Sequence, residues 1–383
     1  MTKDTGPDQS TLSPQQTILR EIETPALVVD YSALTRNIEK MAEEARKRDL
    51  ALRPHAKTHK SVEIARLQID AGATGIACAT VAEAEMLASA GIGGLLLTAP
   101  QVGESKAFRI ARINREHGIT VVVDHASQIE VLAAALQPDE RKLAIAVDVD
   151  IGHMRTGITD IAEGLRLAQM IAKDARLEFA GVQGFAGHAQ HVPVPLERKQ
   201  AAAKAAKVLQ GFVETLTANG LPPRLVSGSG TGTFLQDSAG PYNELQVGSY
   251  VFMDSDYAQV LDEAGLGPAF ETSLFVLATV VSVNRTGQVT VDAGTKALAT
   301  NGPLPTRMIG VPNGARYRFA GDEHGVISIP EGQRTPKLGE RVLIVTTHCD
   351  PTVNLHAAYH VVDRDRIHRW RIGARYGDAQ CDA

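Results

Sequence analysis

Short apolar runs alternate with longer segments of helical period between about residue 50 and residue 254. The helical segments include SVEIARLQIDAG and VAEAEMLASAG, and several end in the glycine that helix C-termini favour. Strand and helix alternating eight times predict a (β/α)₈ barrel with its chemistry at the carboxyl ends of the strands. A doubly wound open sheet stays an alternative, because counting repeats cannot show that a sheet closes. The candidate strands span residues 50–57, 75–80, 95–100, 119–125, 143–150, 178–185, 224–230 and 245–253.

The pattern changes after about residue 260, where β-type runs such as FVLATVVSVN and RVLIVTT follow one another with turn residues between them. This texture predicts a separate β-rich domain at the C-terminal end. A strand-like run, TPALVVD, precedes the first helix and need not belong to the barrel. The predicted organisation is a disordered leader over residues 1–22, a barrel over 31–260 and a β-domain over 261–383.

Composition narrows the class of function. The hydrophobic fraction of 44% and the charged fraction of 22% are typical of a globular protein, and a net charge of −5 gives no reason to expect nucleic acid as a partner. The three cysteines form neither an even set nor a CxxC pair, so we expect a reducing compartment. No apolar run of about 18 residues and no signal-peptide core occur, so we expect a cytoplasmic protein without a membrane partner.

The octet RPHAKTHK, Arg53 to Lys60, ends the first candidate barrel strand. Alternate side chains of an extended strand share a face, so the four basic side chains at odd positions, from Arg53 to His59, are predicted to point the same way. A lysine among positive groups in a partly desolvated site has a lowered pKa, which frees its amine to attack a carbonyl. Lys57 is therefore a candidate Schiff-base lysine. The alternative is a solvated, charged strand end.

Two further motifs fit an aldehyde cofactor such as pyridoxal 5'-phosphate (PLP). The run GSGTGT, Gly228 to Thr233, follows the seventh candidate strand, and its glycine N–H groups and hydroxyls can converge on a phosphate. Arg155, in DIGHMRTG beyond the fifth strand, can donate to a pyridine nitrogen and keep it unprotonated. The alternatives are a flexible turn for the first motif and a surface arginine paired with Asp148 or Asp150 for the second.

The run HCDPT, His348 to Thr352, is a candidate metal site in the β-rich part of the chain. In an extended segment His348 and Asp350 lie on one face and Cys349 on the other, so an imidazole and a carboxylate can converge on one ion. Nitrogen and oxygen ligands completed by water suit Mn²⁺ or Mg²⁺ and tolerate Zn²⁺. The same spacing also occurs by chance in proteins that bind no metal.

Taken together in this order, nine runs of the sequence resemble the metal-dependent, fold-type III PLP enzymes similar to D-threonine aldolase, a superfamily that includes D-3-hydroxyaspartate aldolases and D-serine dehydratases. The resemblance covers nearly the whole chain after residue 22. It implies a barrel of the alanine racemase type, an N-terminal strand at 23–30 that joins the β-domain, and a homodimer in which two subunits build each active site. The runs are ETPALVVD, RPHAKTHKS, DIGHMRTGI, GSGTGT, YNELQVGSY, VFMDSDY, VDAGTKAL, DEHG and HCDPTVN.

The resemblance also implies roles for individual residues. Lys57 matches the PLP lysine, Arg155 the partner of the ring nitrogen, and His191 the histidine that moves the proton of the substrate hydroxyl. His348 and Asp350 match the metal pair of the aldolases, whereas the dehydratases carry cysteine where Asp350 stands. On the residues alone, His191 would be an ordinary loop histidine. The implied cofactor-binding residues are Lys57, Arg155, Ser229, Gly230, Thr231, Gly232 and Tyr257.

The implied activity is that of a lyase that uses PLP and a divalent metal to cleave D-β-hydroxy-α-amino acids, D-threonine-like, by a retro-aldol reaction. Its products are glycine, or a related small amino acid, and an aldehyde. Deamination of the kind catalysed by D-serine or D-threo-3-hydroxyaspartate dehydratases is the alternative, and racemisation is a more distant one. Aldolases of this kind usually carry Cys-Gln-Lys where this chain has Ala79, Thr80 and Val81, and tyrosine where it has Phe185, so the substrate is less defined than the chemistry.

Overall fold

A computed structural model of the chain describes residues 18–262, 264, 267 and 270–376. Its strands are β1 Ala26–Asp30, β2 Ala51–Leu52, β3 Ala77–Cys78, β4 Leu95–Leu97, β5 Ile119–Val123, β6 Leu143–Asp148, β7 Leu177–Gly184, β8 Leu225–Gly228, β9 Glu244–Leu245, β10 Leu274–Ser282, β11 Gln288–Val291, β12 Met308–Ile309, β13 Arg316–Phe319, β14 Gly325–Ser328, β15 Arg341–Val345, β16 Ala358–Asp363 and β17 Arg366–Arg371. Its α-helices are α1 Tyr31–Lys47, α2 Val62–Asp70, α3 Val81–Ser89, α4 Glu104–His117, α5 Ala126–Ala134, α6 Ile161–Lys173, α7 Pro195–Ala218, α8 Phe234–Asp237 and α9 Cys349–Leu355. Short 3₁₀ helices span Ile18–Glu21, Ala56–Thr58, Gly187–Ala189, Ser249–Val251 and Tyr257–Gln259.

The chain divides into two compact units. Among the described residues, the barrel unit contains 38–250, 260–262, 264, 267 and 373–376, and the β unit contains 18–37, 251–259 and 270–372. These units differ from the predicted ranges 31–260 and 261–383 at the start of α1 and around residue 251. The reason is Asn37, whose side-chain amide donates to the Val251 and Glu271 carbonyls and accepts the Glu271 N–H, so this stretch groups with the β unit.

The eight parallel strands of the barrel unit pair in the order β2-β9-β8-β7-β6-β5-β4-β3. The two ends of this order are joined by main-chain hydrogen bonds. The Thr74 N–H donates to the Leu52 carbonyl and the Ala77 N–H to the Pro54 carbonyl, each at 2.8 Å, and a parallel bridge links His55 with Ala77. The sheet therefore closes on itself, which confirms the predicted barrel and excludes the open sheet.

Successive side chains of the barrel strands lie on opposite faces of the sheet, as the period of a strand requires. In β4 and β5, Leu95 and Val123 pack outward into the main core between sheet and helices. Leu96 and Val122 point the other way and form a small interior cluster with Ala146. Both faces are buried, which explains why these strands read as continuous apolar runs in the sequence.

The turns that precede the helices contain side chains that cap them. Ser61 accepts the Ile64 N–H at the start of α2, Thr80 accepts the Glu83 N–H at the start of α3, and Asp160 does the same for α6. Gly91 and Gly220 follow α3 and α7 with φ of 77° and 75°, the left-handed conformation that glycine adopts without strain. The predicted glycine ends of the helices are thus confirmed at these positions.

The β unit contains a sheet with the order β13-β14-β11-β10-β1-β16-β17, in which β15 also pairs with β10 and β12. The strand predicted at 23–30 is present as β1, which pairs antiparallel with β10 and parallel with β16. The predicted disordered leader is wrong at its end, because Ile18–Glu21 form a 3₁₀ helix and Leu19 and Ile22 are buried in this unit's core. Residues 1–17 of that leader lie outside the described residues. No helix in the described part of the chain combines the length and the apolar character that crossing a membrane requires.

Candidate active site

Lys57 lies in a tight turn that follows the first barrel strand. The strand proper ends at Leu52, and Ala56–Thr58 form a 3₁₀ helix in which the Lys57 side chain is half-buried. The predicted alternation of side chains therefore fails after His55, and the four odd-numbered basic residues do not share one strand face. The turn forms because the His55 Nδ1 accepts the Lys57 N–H at 3.3 Å, which caps it.

The positive charges on either side of Lys57 are neutralised by carboxylates. Arg53 donates to Glu244, whose side chain is 3% exposed, at 2.9 Å. Lys60 contacts Glu83, whose side chain is 1% exposed, at 2.6 Å. Buried carboxylates of this kind need a cationic partner, so these two residues serve the fold. The predicted cluster of unpaired positive charge around Lys57 is thus absent at its two ends.

The two histidines nearest to Lys57 in the sequence are hydrogen-bonded through their ring nitrogens. His55 Nε2 lies 2.9 Å from the Thr98 hydroxyl, which itself donates to a main-chain carbonyl, so the ring donates from Nε2 and accepts the Lys57 N–H at Nδ1. His59 accepts the Ser61 N–H at Nδ1, at 3.1 Å, and is fully buried. Both of these rings therefore accept a main-chain N–H at Nδ1, one on each side of Lys57.

The loop after β8 presents donors that a phosphate could use. Ser229 has φ of 70°, which turns the chain sharply, and Gly230, Thr231 and Gly232 follow it. Within the described part of the chain, the main-chain N–H groups of Gly230 and Thr231 have no protein acceptor. The Thr231 hydroxyl accepts the Tyr250 N–H at 3.0 Å, which leaves its own proton available for donation. Two amides and a hydroxyl in one loop fit the phosphate of PLP.

His191 follows Gln190, and Gln190 is hydrogen-bonded to this same loop. The Gln190 Oε1 accepts the Gly232 N–H at 3.0 Å, and its Nε2 donates to the Thr233 hydroxyl at 2.8 Å. His191 itself is half-buried at the end of the turn that follows β7. The predicted proton-transfer histidine and the predicted phosphate loop are therefore neighbours in the barrel unit.

Arg155 lies on the loop after β6 with its side chain exposed. Its guanidinium carbon is 5.8 Å from the centre of the Phe185 ring, a cation–π contact. Neither Asp148 nor Asp150 forms an ion pair with it among the described residues: Asp148 accepts from side chains of its own unit, and Asp150 accepts two main-chain N–H groups of its loop. The alternative of a surface arginine paired with one of these carboxylates is therefore wrong.

The metal candidates lie in the β unit, at the first turn of α9. His348 precedes this helix with extended backbone, and Asp350 is already its second residue. The prediction that an extended segment aligns His348 and Asp350 on one face is thus wrong, although both side chains are half-buried in the same turn. Asp350 accepts the Cys349 thiol at 3.4 Å.

Asn301 lies 3.0 Å from the His348 Nδ1 through its side-chain amide. The Asn301 atom at that distance is Nδ2, which donates, so the His348 Nδ1 accepts this hydrogen bond. His348 and Asp350 therefore supply one nitrogen and one oxygen donor, a set that suits Mn²⁺ or Mg²⁺ and tolerates Zn²⁺. No group of three or more histidine, cysteine and acidic side chains that could hold an ion occurs among the described residues, so water or substrate would complete the shell.

Tyr257, the remaining cofactor candidate, lies in the β unit. Its N–H donates to Asp254 Oδ1 at 2.9 Å, and the other oxygen of Asp254 accepts the Cys349 N–H at the same distance. Burial raises the pKa of Asp254, and the hydrogen bonds from the Tyr257 and Cys349 N–H groups oppose that shift. One carboxylate thus fixes both the turn that contains Tyr257 and the start of α9. Of the predicted site residues, the structure groups Lys57, Arg155, His191 and residues 229–232 in the barrel unit, and Tyr257, His348 and Asp350 in the β unit.

The comparison with known protein families shows to which family the chain belongs. Residues 29–256 match the family described as "Alanine racemase, N-terminal domain", and residues 273–362 match a serine dehydratase domain family. The chain belongs to the alanine racemase N-terminal domain family. The first match covers the barrel strands and the second begins with β10, so the two matches correspond to the predicted barrel of alanine racemase type and the β-rich domain after it.

Two relatives that match this chain over nearly its full length are aldolases. D-threonine aldolase of Arthrobacter sp. is 38% identical over 93% of this chain and 94% of its own. 3-Hydroxy-D-aspartate aldolase of Paracoccus denitrificans (strain Pd 1222) is 36% identical over 93% and 92%. The crystal structure of D-threonine aldolase from Filomicrobium marinum superposes with a TM-score of 0.88 at 38% identity, covering 94% of this chain and 97% of that one. The resemblance to the enzymes similar to D-threonine aldolase is thereby confirmed.

Two residues that organise the site had no role in the sequence-based prediction. Gln190 stands between Ala189 and His191 as an ordinary polar loop residue, and its partners at 232 and 233 are more than 40 positions away. Asp254 stands in the run VFMDSDY, which carries part of the family resemblance, but nothing in that run shows that its carboxylate caps the start of α9. Only the burial of both side chains, at 1% and 0% exposure, marks them as structural centres.

Proposed function

We propose that this chain is a lyase that uses PLP and a divalent metal ion to cleave D-β-hydroxy-α-amino acids, D-threonine-like, by a retro-aldol reaction. The products are glycine, or a related small amino acid, and an aldehyde. The observation that carries the proposal is similarity over nearly the full length to two aldolases, at 38% and 36% identity. The donors that the barrel unit offers around Lys57 and residues 229–232 support it.

Lys57 would hold the cofactor through its amine, and the loop of Ser229, Gly230, Thr231 and Gly232 would bind the phosphate. When bound, PLP supplies an electron sink for the bond that breaks at the substrate Cα. Arg155 can only donate hydrogen bonds, so it would hold the pyridine nitrogen unprotonated and weaken that sink. Tyr257 is proposed as a further cofactor-binding residue.

Proton transfer and hydroxyl binding fall to other residues. His191 would take the proton of the β-hydroxyl as a general base. His348 and Asp350 would hold the divalent ion, Mn²⁺ or Mg²⁺ with Zn²⁺ as a further candidate, which supplies a Lewis acid for the hydroxyl oxygen. A weakened electron sink makes the reaction more dependent on this base and on the metal ligands.

Deamination of D-serine or D-threo-3-hydroxyaspartate is the second candidate, because residues 273–362 match a serine dehydratase domain family. The carboxylate at Asp350 favours aldol cleavage in this comparison, since the dehydratases that the sequence resembles carry cysteine there. Racemisation is a more distant third, and it would need neither the metal pair nor His191.

A substrate panel tests the proposed function. The protein loaded with PLP and Mn²⁺ is incubated with D-threonine, D-phenylserine, 3-hydroxy-D-aspartate and D-serine, and with the L-forms as controls. We expect glycine and the matching aldehyde from the D-forms that have a carbon substituent on Cβ. An oxo acid and ammonia in place of glycine would establish the dehydratase, and D-to-L conversion alone would establish the racemase.

We further propose a cytoplasmic homodimer that binds a small D-amino acid and neither nucleic acid nor membrane. Light scattering of the purified protein is expected to give twice the mass of one chain at micromolar concentration. The mass of a single chain under these conditions would contradict the dimer.

A further inference from the structure

Gln190 uses its side-chain amide completely. The Nε2 donates to the Thr233 hydroxyl at 2.8 Å and to the Ala186 carbonyl at 3.1 Å, and Oε1 accepts the Gly232 N–H at 3.0 Å. The residue is 1% exposed. A buried amide that makes three hydrogen bonds to one loop and its own turn fixes the distance between them, because each lost bond would leave a buried polar group unsatisfied.

The glycines of the loop are packed against this residue. A Cβ atom on Gly230 would collide with the Gln190 side-chain amide, and one on Gly232 would collide with the Gln190 carbonyl. The close approach of Gln190 therefore requires glycine at both positions, independently of any need for a flexible turn. The loop and Gln190 are therefore packed directly against each other.

The hydrogen bonds between Gln190 and the loop decide which donors of the loop remain for a ligand. Gln190 occupies the N–H of Gly232, while the N–H groups of Gly230 and Thr231 stay without a protein acceptor in the described part of the chain. The Thr233 hydroxyl, which accepts from Gln190, in turn donates to the buried Asp237. A loop that is fixed from behind in this way keeps its free donors oriented before any ligand arrives.

We infer that Gln190 is a positioning residue that holds loop 229–233 in its phosphate-binding form and connects that loop, through the chain, to His191. The inference rests on the proposed PLP-dependent function. The loop that would bind the cofactor phosphate is thus held by the residue that directly precedes the proposed proton-transfer histidine. A change at Gln190 should therefore affect the affinity for the phosphate group selectively.

The test compares the binding of PLP and of pyridoxal, which lacks the phosphate, to the wild-type protein and to Gln190→Met. Methionine keeps the volume of glutamine and removes all three hydrogen bonds. We expect the Kd for PLP to rise about tenfold or more, while the Kd for pyridoxal changes less than about twofold. Asn114→Ala is the matched control, because it also removes a buried amide, which donates to the Arg141 carbonyl at 2.7 Å, far along the chain from the loop.

Each outcome has one meaning. An unchanged ratio of the two Kd values in Gln190→Met, with the variant folded by thermal melting, would overturn the inference and leave the proposed function intact. Equal Kd values for PLP and pyridoxal in the wild-type protein would instead overturn the phosphate site of the proposed function. If Gln190→Met does not fold, Thr233→Val decides: it removes the hydrogen bond between Gln190 and residue 233 without adding a charge, and it must lower the preference for PLP. A preference equal to that of the wild type would contradict the inference.

Discussion

The cofactor candidates of the barrel unit and the metal pair of the β unit are held in different ways. In the barrel unit the contacts come from residues distant in sequence: Gln190 reaches Gly232 across 42 positions, and Arg53 reaches Glu244 across 191. In the β unit, His348 and Asp350 are brought together by one turn at the start of α9. The difference teaches that the proposed cofactor site depends on the closed barrel, whereas the proposed metal pair depends on local backbone geometry.

The largest effect is expected at Lys57. Lys57→Ala should remove the visible absorbance of lysine-bound PLP and lower turnover on the order of 10³-fold or more, because no other amine takes its place. Lys60→Ala is the matched control, since that lysine serves the ion pair with Glu83 and should lower stability without removing the absorbance. A yellow Lys57→Ala protein would contradict the assignment of the cofactor to this turn.

The metal pair separates the two regions most sharply. Asp350→Asn and His348→Ala should lower turnover by about 10²- to 10³-fold while the PLP absorbance stays, because a local turn is changed and the barrel is not. His356→Ala, at the other end of α9, is the control for damage to the helix. Chelator treatment of the wild-type protein should have the same effect, reversed by Mn²⁺. Activity that is indifferent to chelator would show that the pair holds no functional metal.

A substitution at His191 tests the proposed general base, which lies in the barrel unit. His191→Ala should slow turnover by roughly 10²-fold, as for the loss of a general base, and leave the Kd for PLP unchanged. His125→Ala, in the cap of α5, serves as the control because its ring is hydrogen-bonded to Ser127 at the start of that helix. Loss of PLP binding in His191→Ala would assign this histidine to the proposed cofactor site and deny it the proposed role.

The smallest effect concerns stability at the back of the phosphate loop. Burial raises the pKa of Asp237 to about 6, so the folded protein keeps this proton in a range where the unfolded chain, with an ordinary pKa near 4, has lost it. Between about pH 4 and pH 6 this carboxyl therefore lowers the free energy of unfolding as the pH rises, by up to about 3 kcal/mol.

Asp237→Asn should remove that dependence, so the stability of the variant relative to the wild type rises between about pH 4 and pH 6 in urea unfolding. Asp174→Asn is the control of opposite sign, because the Arg176 guanidinium holds the pKa of Asp174 below its usual range and that stability is lost as the pH falls. Parallel pH curves for the wild type and Asp237→Asn would mean that the buried carboxyl does not titrate in this range.

The pattern of apolar residues predicted the architecture well, because the architecture is determined by which side chains are buried. Runs such as the one around Leu95–Leu97 are apolar on both faces, and this feature marks a barrel strand wherever its ends lie. The ends were less predictable. The strand at 50–57 stops at Leu52, since a hydrogen bond from the Lys57 N–H to the His55 side chain starts a 3₁₀ turn that no alternation of polar and apolar residues reveals.

The candidate site shows the same limit. Sequence motifs predict the candidate catalytic and binding residues. Their surroundings depend on contacts between residues distant in sequence, such as the one between Gln190 and Gly232, which no motif shows. The helical start at Cys349 does have a signal in the sequence, because Asp350 and Pro351 are residue types that favour the first turn of a helix. These two residues favour the observed turn over an extended segment.

The identity of the products formed from D-threonine tests the central claim most directly. The protein loaded with PLP and Mn²⁺ is incubated with D-threonine, and glycine, acetaldehyde, 2-oxobutanoate and ammonia are quantified in the same sample. The account predicts glycine and acetaldehyde in equal amounts, with neither 2-oxobutanoate nor ammonia above the enzyme-free background. Production of 2-oxobutanoate and ammonia without glycine would contradict aldol cleavage and assign the chain to the dehydratases.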